Sequence, residues 1–327
     1  MGYGLEVPAD GREREMDIGY LLPTRDQVAS GSGELASLVA QARRAERLGL
    51  DSVWAGDSPL TRPRADPLLL LAAVAEATER VALGTAVLLP ALRHPILLAH
   101  QLATLDRLSE GRLIAGMGGG FPNAGTRAQF ETLGVNFDRR VSRLEETVQV
   151  MRRLWTGETV SHDGEHIAFR DVRLEPAPAR PGGPPVWLAG GGGPALRRVA
   201  RLADGWLPYP PEVTTYARER EFIERSAAPR PVTPALYATL CLDEDPERAR
   251  RRLRTSIERY YGVPLDLVAP VQALFAGPAR QAADWLASYA AAGARHLVVR
   301  LATDDHPAGL EEFADRVLPL LRTEERR

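Results

Sequence analysis

Residues 184–206 read PPVWLAGGGGPALRRVARLADGW: a short apolar run, four consecutive glycines, a proline, apolar residues at helical spacing, and the start of a second apolar run. The stretch is one strand, one turn and one helix. Glycines at the end of a strand let the backbone turn tightly and approach a ligand, and Pro194 suits a first helical position, whose N–H has no partner in any case. The unpaired N–H groups of a helix start, with the helix dipole behind them, favour an anion, for which a phosphate is the natural guest. A tight strand-to-helix turn with no guest is the other reading of the same residues.

The unit recurs on both sides of this stretch. Apolar strands are predicted over 16–23 (MDIGYLLP), 50–57 (LDSVWAGD), 81–90 (VALGTAVLLP), 111–118 (GRLIAGMG), 184–189, 203–209 (ADGWLPY), 234–242 (PALYATLCL) and 294–302 (ARHLVVRLA). Amphipathic helices follow over 34–48, 67–78, 94–108 and 138–155, after the glycine turn, from 212, over 246–260 and over 307–321. Eight such alternations argue for an α/β fold with a parallel sheet closed into a (β/α)8 TIM barrel. The polar, proline-rich stretch over about 156–183, containing HDGEH, reads as an insertion after the fourth helix, folded as a small hairpin. The expected organisation is one barrel domain over 16–323, preceded by a flexible segment over 1–15.

Composition removes several classes of function. The chain has 327 residues, 44% of them hydrophobic, and a net charge of −2, which fits a globular core and argues against a nucleic-acid partner. All 41 basic residues are arginine, so Schiff-base chemistry and the P-loop, which need a lysine amine, are excluded. A single cysteine, Cys241, cannot form an internal disulfide, and the first residues lack the apolar centre of a signal peptide. The expectation is a cytoplasmic protein without a membrane partner, since no apolar run nears the roughly 20 residues that span a bilayer.

A barrel of this kind puts its chemistry at the C-terminal ends of its strands. The residues there are Asp57 and Ser58, Leu89 and Pro90, Gly118 to Phe121, Gly190, Gly191, Gly192 and Gly193, and Tyr209. Gly190, Gly192 and Ala195 match a G-x-G-x-x-A dinucleotide fingerprint, but they follow four strand–helix pairs, and Asp204 lies too near to be its acid. His162 and His166 flank Asp-Gly, which breaks a helix, so they do not share a helical face and no metal site is predicted. His94 is either a helix cap or a ligand contact, and Asp57 either caps its turn or touches a ligand. Asp106 and Arg112 are expected to pair across the turn at the bottom of the barrel. No serine, histidine and acid arrangement for a hydrolase stands out.

Several segments together resemble the luciferase-like flavin monooxygenase superfamily, which includes bacterial luciferase relatives and deazaflavin-dependent oxidoreductases. They are RLGLDSVWAGD (47–57), VALGTAVLLPALRHPILLAHQLATLDRLSEGRLIAGMGGG (81–120), RLEETVQVMRRLWTGETVSHDGEHI (143–167) and the stretch over 184–206, with AGARHLVVRL (292–301) and VLPLL (317–321) agreeing near the end. The resemblance implies reduced FMN or coenzyme F-420 lying across the strand ends, its phosphate on the turn 190–193 and the helix start at Ala195 and Leu196. It also implies a non-proline cis peptide within Thr85, Ala86 and Val87 behind the ring, a polar pair at Asp57 and Ser58 near the ring edge, and a cofactor-facing turn at Gly118, Gly119 and Gly120. Asp57, His94 and Tyr209 are the candidate proton donors or acceptors. A small-molecule substrate, a homodimer built through the helices next to the second and third strands, and a separate flavin or deazaflavin reductase are the implied partners. The chain departs from several deazaflavin enzymes in having Ser58 and Pro59 where they carry a histidine after the acid. The implied function is an oxidoreductase, inserting oxygen with FMN or transferring hydride with the deazaflavin. A non-catalytic flavin-binding barrel and a phosphate-site lyase or isomerase are the alternatives.

Overall fold

The computed structural model describes residues 16–31 and 34–324; the segment expected over 1–15 lies outside them. Eleven strands follow in chain order among the described residues: β1 (Asp17–Leu21), β2 (Ser52–Ala55), β3 (Ala82–Thr85), β4 (Leu113–Met117), β5 (Val160–Asp163), β6 (Ala168–Val172), β7 (Val186–Leu188), β8 (Gly205–Trp206), β9 (Thr233–Leu242), β10 (Ala273–Gly277) and β11 (His296–Leu301). β1, β2, β3, β4, β7, β8, β9 and β11 close into a ring of parallel strands, with helices packed outside. These are the eight strands expected, and the fold is the (β/α)8 barrel. The strands read as nearly unbroken apolar runs because both faces are covered, one by the helices and one by the barrel interior.

The lower end of β9 pairs with β8, while its upper half, Ala238 to Leu242, pairs with β10. Neither β10 nor the helix Ala279–Ala291 behind it was expected. The strand, ALFAG, is only five residues long, and the inner face of the helix is mostly alanine (Ala279, Ala282, Ala283), so its hydrophobic contrast is weak. The insertion forms the expected hairpin, β5 against β6. Glu146, on the helix Arg140–Leu154, holds it by accepting from the backbone N–H groups of His166 (2.9 Å) and Ile167 (3.1 Å) and by pairing with His162 Nε2 at 3.1 Å.

The turn at the barrel bottom is held differently from expectation. Buried Asp106 pairs with Arg180, whose Nη2 donates to it at 2.9 Å. Arg112 instead donates to the carbonyls of Ala75, Thr78, Val81 and Ser109. Helix ends expose carbonyls that need donors, and the five-donor guanidinium of Arg112 serves several at once.

Two tryptophans fill the barrel. Trp54 on β2 and Trp187 on β7 are buried with ring centroids 5.4 Å apart, inside a cluster that includes Leu21, Leu207, Ala235 and Val298. Their bulk is accommodated by neighbouring strands that carry glycine: a Cβ at Gly84 would overlap the Trp54 ring, and one at Gly205 would overlap Trp187. Because the β3 backbone is pinned on both sides by the sheet, it cannot retreat. Gly84→Ala should therefore cost about 1–3 kcal/mol through overpacking and lower the melting temperature by several degrees. The penalty should shrink in a Trp54→Phe background; equal penalties in both backgrounds would refute the packing account.

Candidate active site

The strand ends that carry the candidate residues open on one mouth. At the end of β3, buried Thr85 donates from Oγ1 to the Gly116 carbonyl at 2.7 Å, and the Ala86–Val87 peptide bond is cis, within the three residues where the resemblance puts it. Leu88 N–H donates to the Gly116 carbonyl and Gly118 N–H to the Leu88 carbonyl, so the segment after β3 is stitched to β4. A Cβ on Gly118 would lie 2.8 Å from Val87 Cγ2, so this glycine lets the β3 segment close up. Gly119 and Gly120 continue the turn toward the helix Ala124–Thr132.

Asp57, just past β2, has a side chain only 3% exposed. Arg93 grips both of its oxygens, through Nη1 to Oδ2 and through Nη2 to Oδ1 at 3.2 Å, and the Leu89 N–H donates to Oδ2 at 3.0 Å. Burial alone would lower the Arg93 pKa, but its hydrogen bonds and charge contact with Asp57 and Asp66 raise it above the ordinary value. Stripping a buried carboxylate of such a partner costs about 3–5 kcal/mol, so Asp57 is held in this pair and fixes the backbone behind the β3 segment. Ser58 donates to Gln129 Oε1 at 3.2 Å, and the same oxygen accepts from the N–H groups of Leu60 and Thr61, tying the β2 loop to the helix Ala124–Thr132.

At the end of β7, Gly190 (φ 125°) and Gly192 (φ 78°) adopt backbone angles that other residues avoid, and Gly192 caps the helix Gly193–Leu202 without a side chain of its own to bond the helix start. No atom lies within 4 Å of where a Cβ of Gly192 would be. Helix geometry leaves the N–H groups of Gly193 and Ala195 without intrahelical partners, whereas the Leu196 N–H already donates to the Gly192 carbonyl and its side chain is buried. The Gly192 N–H is also taken: Glu219, on the helix Val213–Ala227, accepts it at 2.9 Å through Oε1. The helix start thus has two N–H groups without helical partners and a third bonded to a carboxylate of the chain itself.

Tyr209 follows β8 and meets Tyr237 edge to face, with centroids 6.4 Å apart. Burial raises its pKa above the ordinary 10, only partly opposed by the charge of Arg62, so the phenol keeps its proton at neutral pH. His94 is exposed at the start of the helix Pro95–Leu108 and makes no cap hydrogen bond. Among the described residues no cluster of three His, Cys, Asp or Glu side chains could hold a metal ion. Sequence reasoning missed Arg93 and Glu219, whose partners lie 36 and 27 residues away in the chain. It also missed Ser52, which lies 2.7 Å from His296 Nε2, with Asp17 3.6 Å from the other ring nitrogen. That trio resembles a hydrolase triad, but Ser52 and His296 are buried at the lower end of the strands beneath Trp54 and Trp187, beyond the reach of a substrate.

Comparison with known proteins agrees with this geometry. The model of the luciferase-like monooxygenase family matches residues 16–296. The F420-dependent glucose-6-phosphate dehydrogenase of Amycolatopsis mediterranei is 31% identical, over 87% of this chain and 94% of that protein. Among solved structures, a monooxygenase from Streptomyces bottropensis superposes with a TM-score of 0.78 at 23% identity, covering 93% of this chain and 99% of that one. The coenzyme F420 dependent tetrahydromethanopterin reductase of Methanopyrus kandleri does so with a TM-score of 0.75 at 20% identity, covering 94% and 99%. The family match over most of the chain and the end-to-end relative together mean that this chain belongs to the luciferase-like monooxygenase family.

Proposed function

We propose that the protein is an oxidoreductase that binds coenzyme F-420 at the mouth of the barrel and oxidises or reduces a small organic substrate there. The observation that carries the reading is the helix start at Gly192 and Gly193, where Gly193 and Ala195 leave N–H groups without helical partners, in a chain that matches an F420-dependent relative over 87% of its length. The residues fit the group: a phosphate would take the N–H groups of Gly193 and Ala195, and that of Gly192 once Glu219 swings aside. Gly118 to Gly120 and the Ala86–Val87 segment would present small side chains and bare backbone to a flat ring. When bound, the deazaflavin supplies two-electron redox chemistry, as FMN would supply oxygen chemistry.

The chain's own part is orientation and proton handling. Tyr209, protonated and half-buried at the mouth, is the best-placed donor, holding its proton at Oη. Asp57 acts through position, with Arg93 keeping the β3 segment in register, while Ser58 holds the β2 loop. His94, exposed on the rim, is left as a contact for whatever approaches from solvent. Leu69 and Leu97, 76% and 63% exposed on the helices after β2 and β3, support pairing with a second copy. Action in the cytoplasm and supply of the reduced cofactor by a separate reductase complete the proposal. Among the described residues no helix is long and apolar enough to cross a membrane.

An anaerobic assay with reduced or oxidised F-420 against a panel of ketones, secondary alcohols and sugar phosphates should give turnover, read from the cofactor absorbance. Turnover only in air with reduced FMN would instead make the protein a monooxygenase, and tight binding with no turnover would make it a carrier. Removing the carboxylate that competes for the turn should help the cofactor. Glu219→Gln is expected to tighten F-420 roughly fivefold, about 1 kcal/mol, the scale of one charge at a helix start. Unchanged or weaker binding would remove the phosphate from this turn.

A further inference from the structure

Three arginines converge on the mouth with no carboxylate between them. Arg25, on the short helix Thr24–Ser30 after β1, donates from Nη1 to the Pro63 carbonyl at 3.4 Å, and Arg64 Nε donates to the Arg62 carbonyl at 3.2 Å. Burial, and then the charges of Arg64 and Arg62, press the Arg25 pKa below its ordinary value. Among the described residues none of the three stands in an ion pair, and the neighbouring acid, Asp26, is taken by Arg300 Nη2 at 2.8 Å. The Nε atoms of Arg25 and Arg62 are buried with no partner.

The surroundings are aromatic. Arg64 Nη1 donates to Tyr260 Oη at 3.1 Å, its guanidinium lies 5.5 Å from the centre of that ring, and Arg62 lies 5.1 Å from that of Tyr261. Tyr209 and Tyr237 continue the wall, both near enough to these arginines to feel their charge. Arg64 also fills the space a side chain at Gly56 would need, a point 3.3 Å from the Ala86 carbonyl oxygen. Arg64 therefore stands beside the segment where the ring is proposed to lie. The loops that carry them follow β1 and β2, and β1 is four steps around the ring from β7 with its glycine turn. The arginines and the glycine turn are therefore separate places on the mouth.

Gathering like charges in a partly buried place is unfavourable unless a counter-charge arrives, and the arginine fork matches a carboxylate or phosphate with two parallel hydrogen bonds. We propose that Arg62 and Arg64, with Arg25 behind them, bind the anionic group of the substrate, a carboxylate or a phosphate ester, while the tyrosines flank its carbon skeleton. This names the substrate class for the reading above and rests on the mouth being the active site.

The test is calorimetric titration of the full chain with phenyl phosphate, benzoate and the neutral control benzamide, alongside a parallel titration with F-420. The wild type should bind at least one of the two anions and benzamide far more weakly; which anion wins identifies the group. Arg62→Gln should weaken anion binding at least tenfold while keeping F-420 affinity, Arg62→Gln/Arg64→Gln should weaken anion binding further, and Gly192→Asp should lose F-420 while keeping the anion. The single Arg62→Gln variant guards against misfolding of the double one, because the Arg62 Nε has no partner to lose. Anion binding unaffected by the arginine changes, lost instead with Gly192→Asp, or absent from the wild type overturns the proposal. Loss of F-420 binding by the wild type itself would instead strike at the cofactor reading.

Discussion

Eight parallel strands close into a ring only if something fills the space they enclose, and here Trp54 and Trp187 do so, packed against strands that yield room with glycine at Gly84 and Gly205. Closure is what aims the loops. Once the ring is fixed, residues separated by most of the chain, such as Arg25 after β1, Asp57 after β2 and Tyr209 after β8, come to the same mouth. The lower layer, with Ser52 and His296 beneath the tryptophans, is sealed, so an arrangement that looks reactive there serves the core, and chemistry is confined to the upper end.

Electrostatics at the mouth follow from how few carboxylates are free. Asp57 is held by Arg93 and Asp26 by Arg300, leaving Arg25, Arg62 and Arg64 without protein counter-charges among the described residues. Across the ring, the glycine turn has the opposite arrangement, since the Glu219 carboxylate accepts the Gly192 N–H at the helix start. One side of the mouth is thus charged in advance and the other is capped in advance. That asymmetry suits a site that takes two anionic partners in defined places.

The fold was legible because each strand–helix pair announces itself locally: an apolar run, a turn and a helical stripe within some thirty residues. The barrel strands and the hairpin were therefore found, whereas β10 and its alanine-rich helix, with weak hydrophobic contrast, were not. The site was legible only in its backbone. Glycines at 190 and 192 declare unusual dihedrals, but nothing near Asp57 in the chain says that Arg93 will hold it, and nothing near Gly192 points to Glu219. Nothing near Arg62 and Arg64 in the chain announces the tyrosines of the helix Pro246–Tyr261 that the fold brings against them. Pairings of this kind depend on ring closure, which the order of elements implies but local pattern does not resolve to individual side chains.

The glycine turn at the end of β7 is proposed to seat the phosphate of a deazaflavin. This is tested most directly by equilibrium binding of F-420 and FMN to wild type and to Gly192→Asp, with melting temperatures as the control for folding. Saturable one-to-one binding of F-420, tighter than that of FMN, is expected, with its loss in a Gly192→Asp protein that still melts cooperatively. F-420 binding that survives the substitution, or no binding of either cofactor to the wild type, would contradict it.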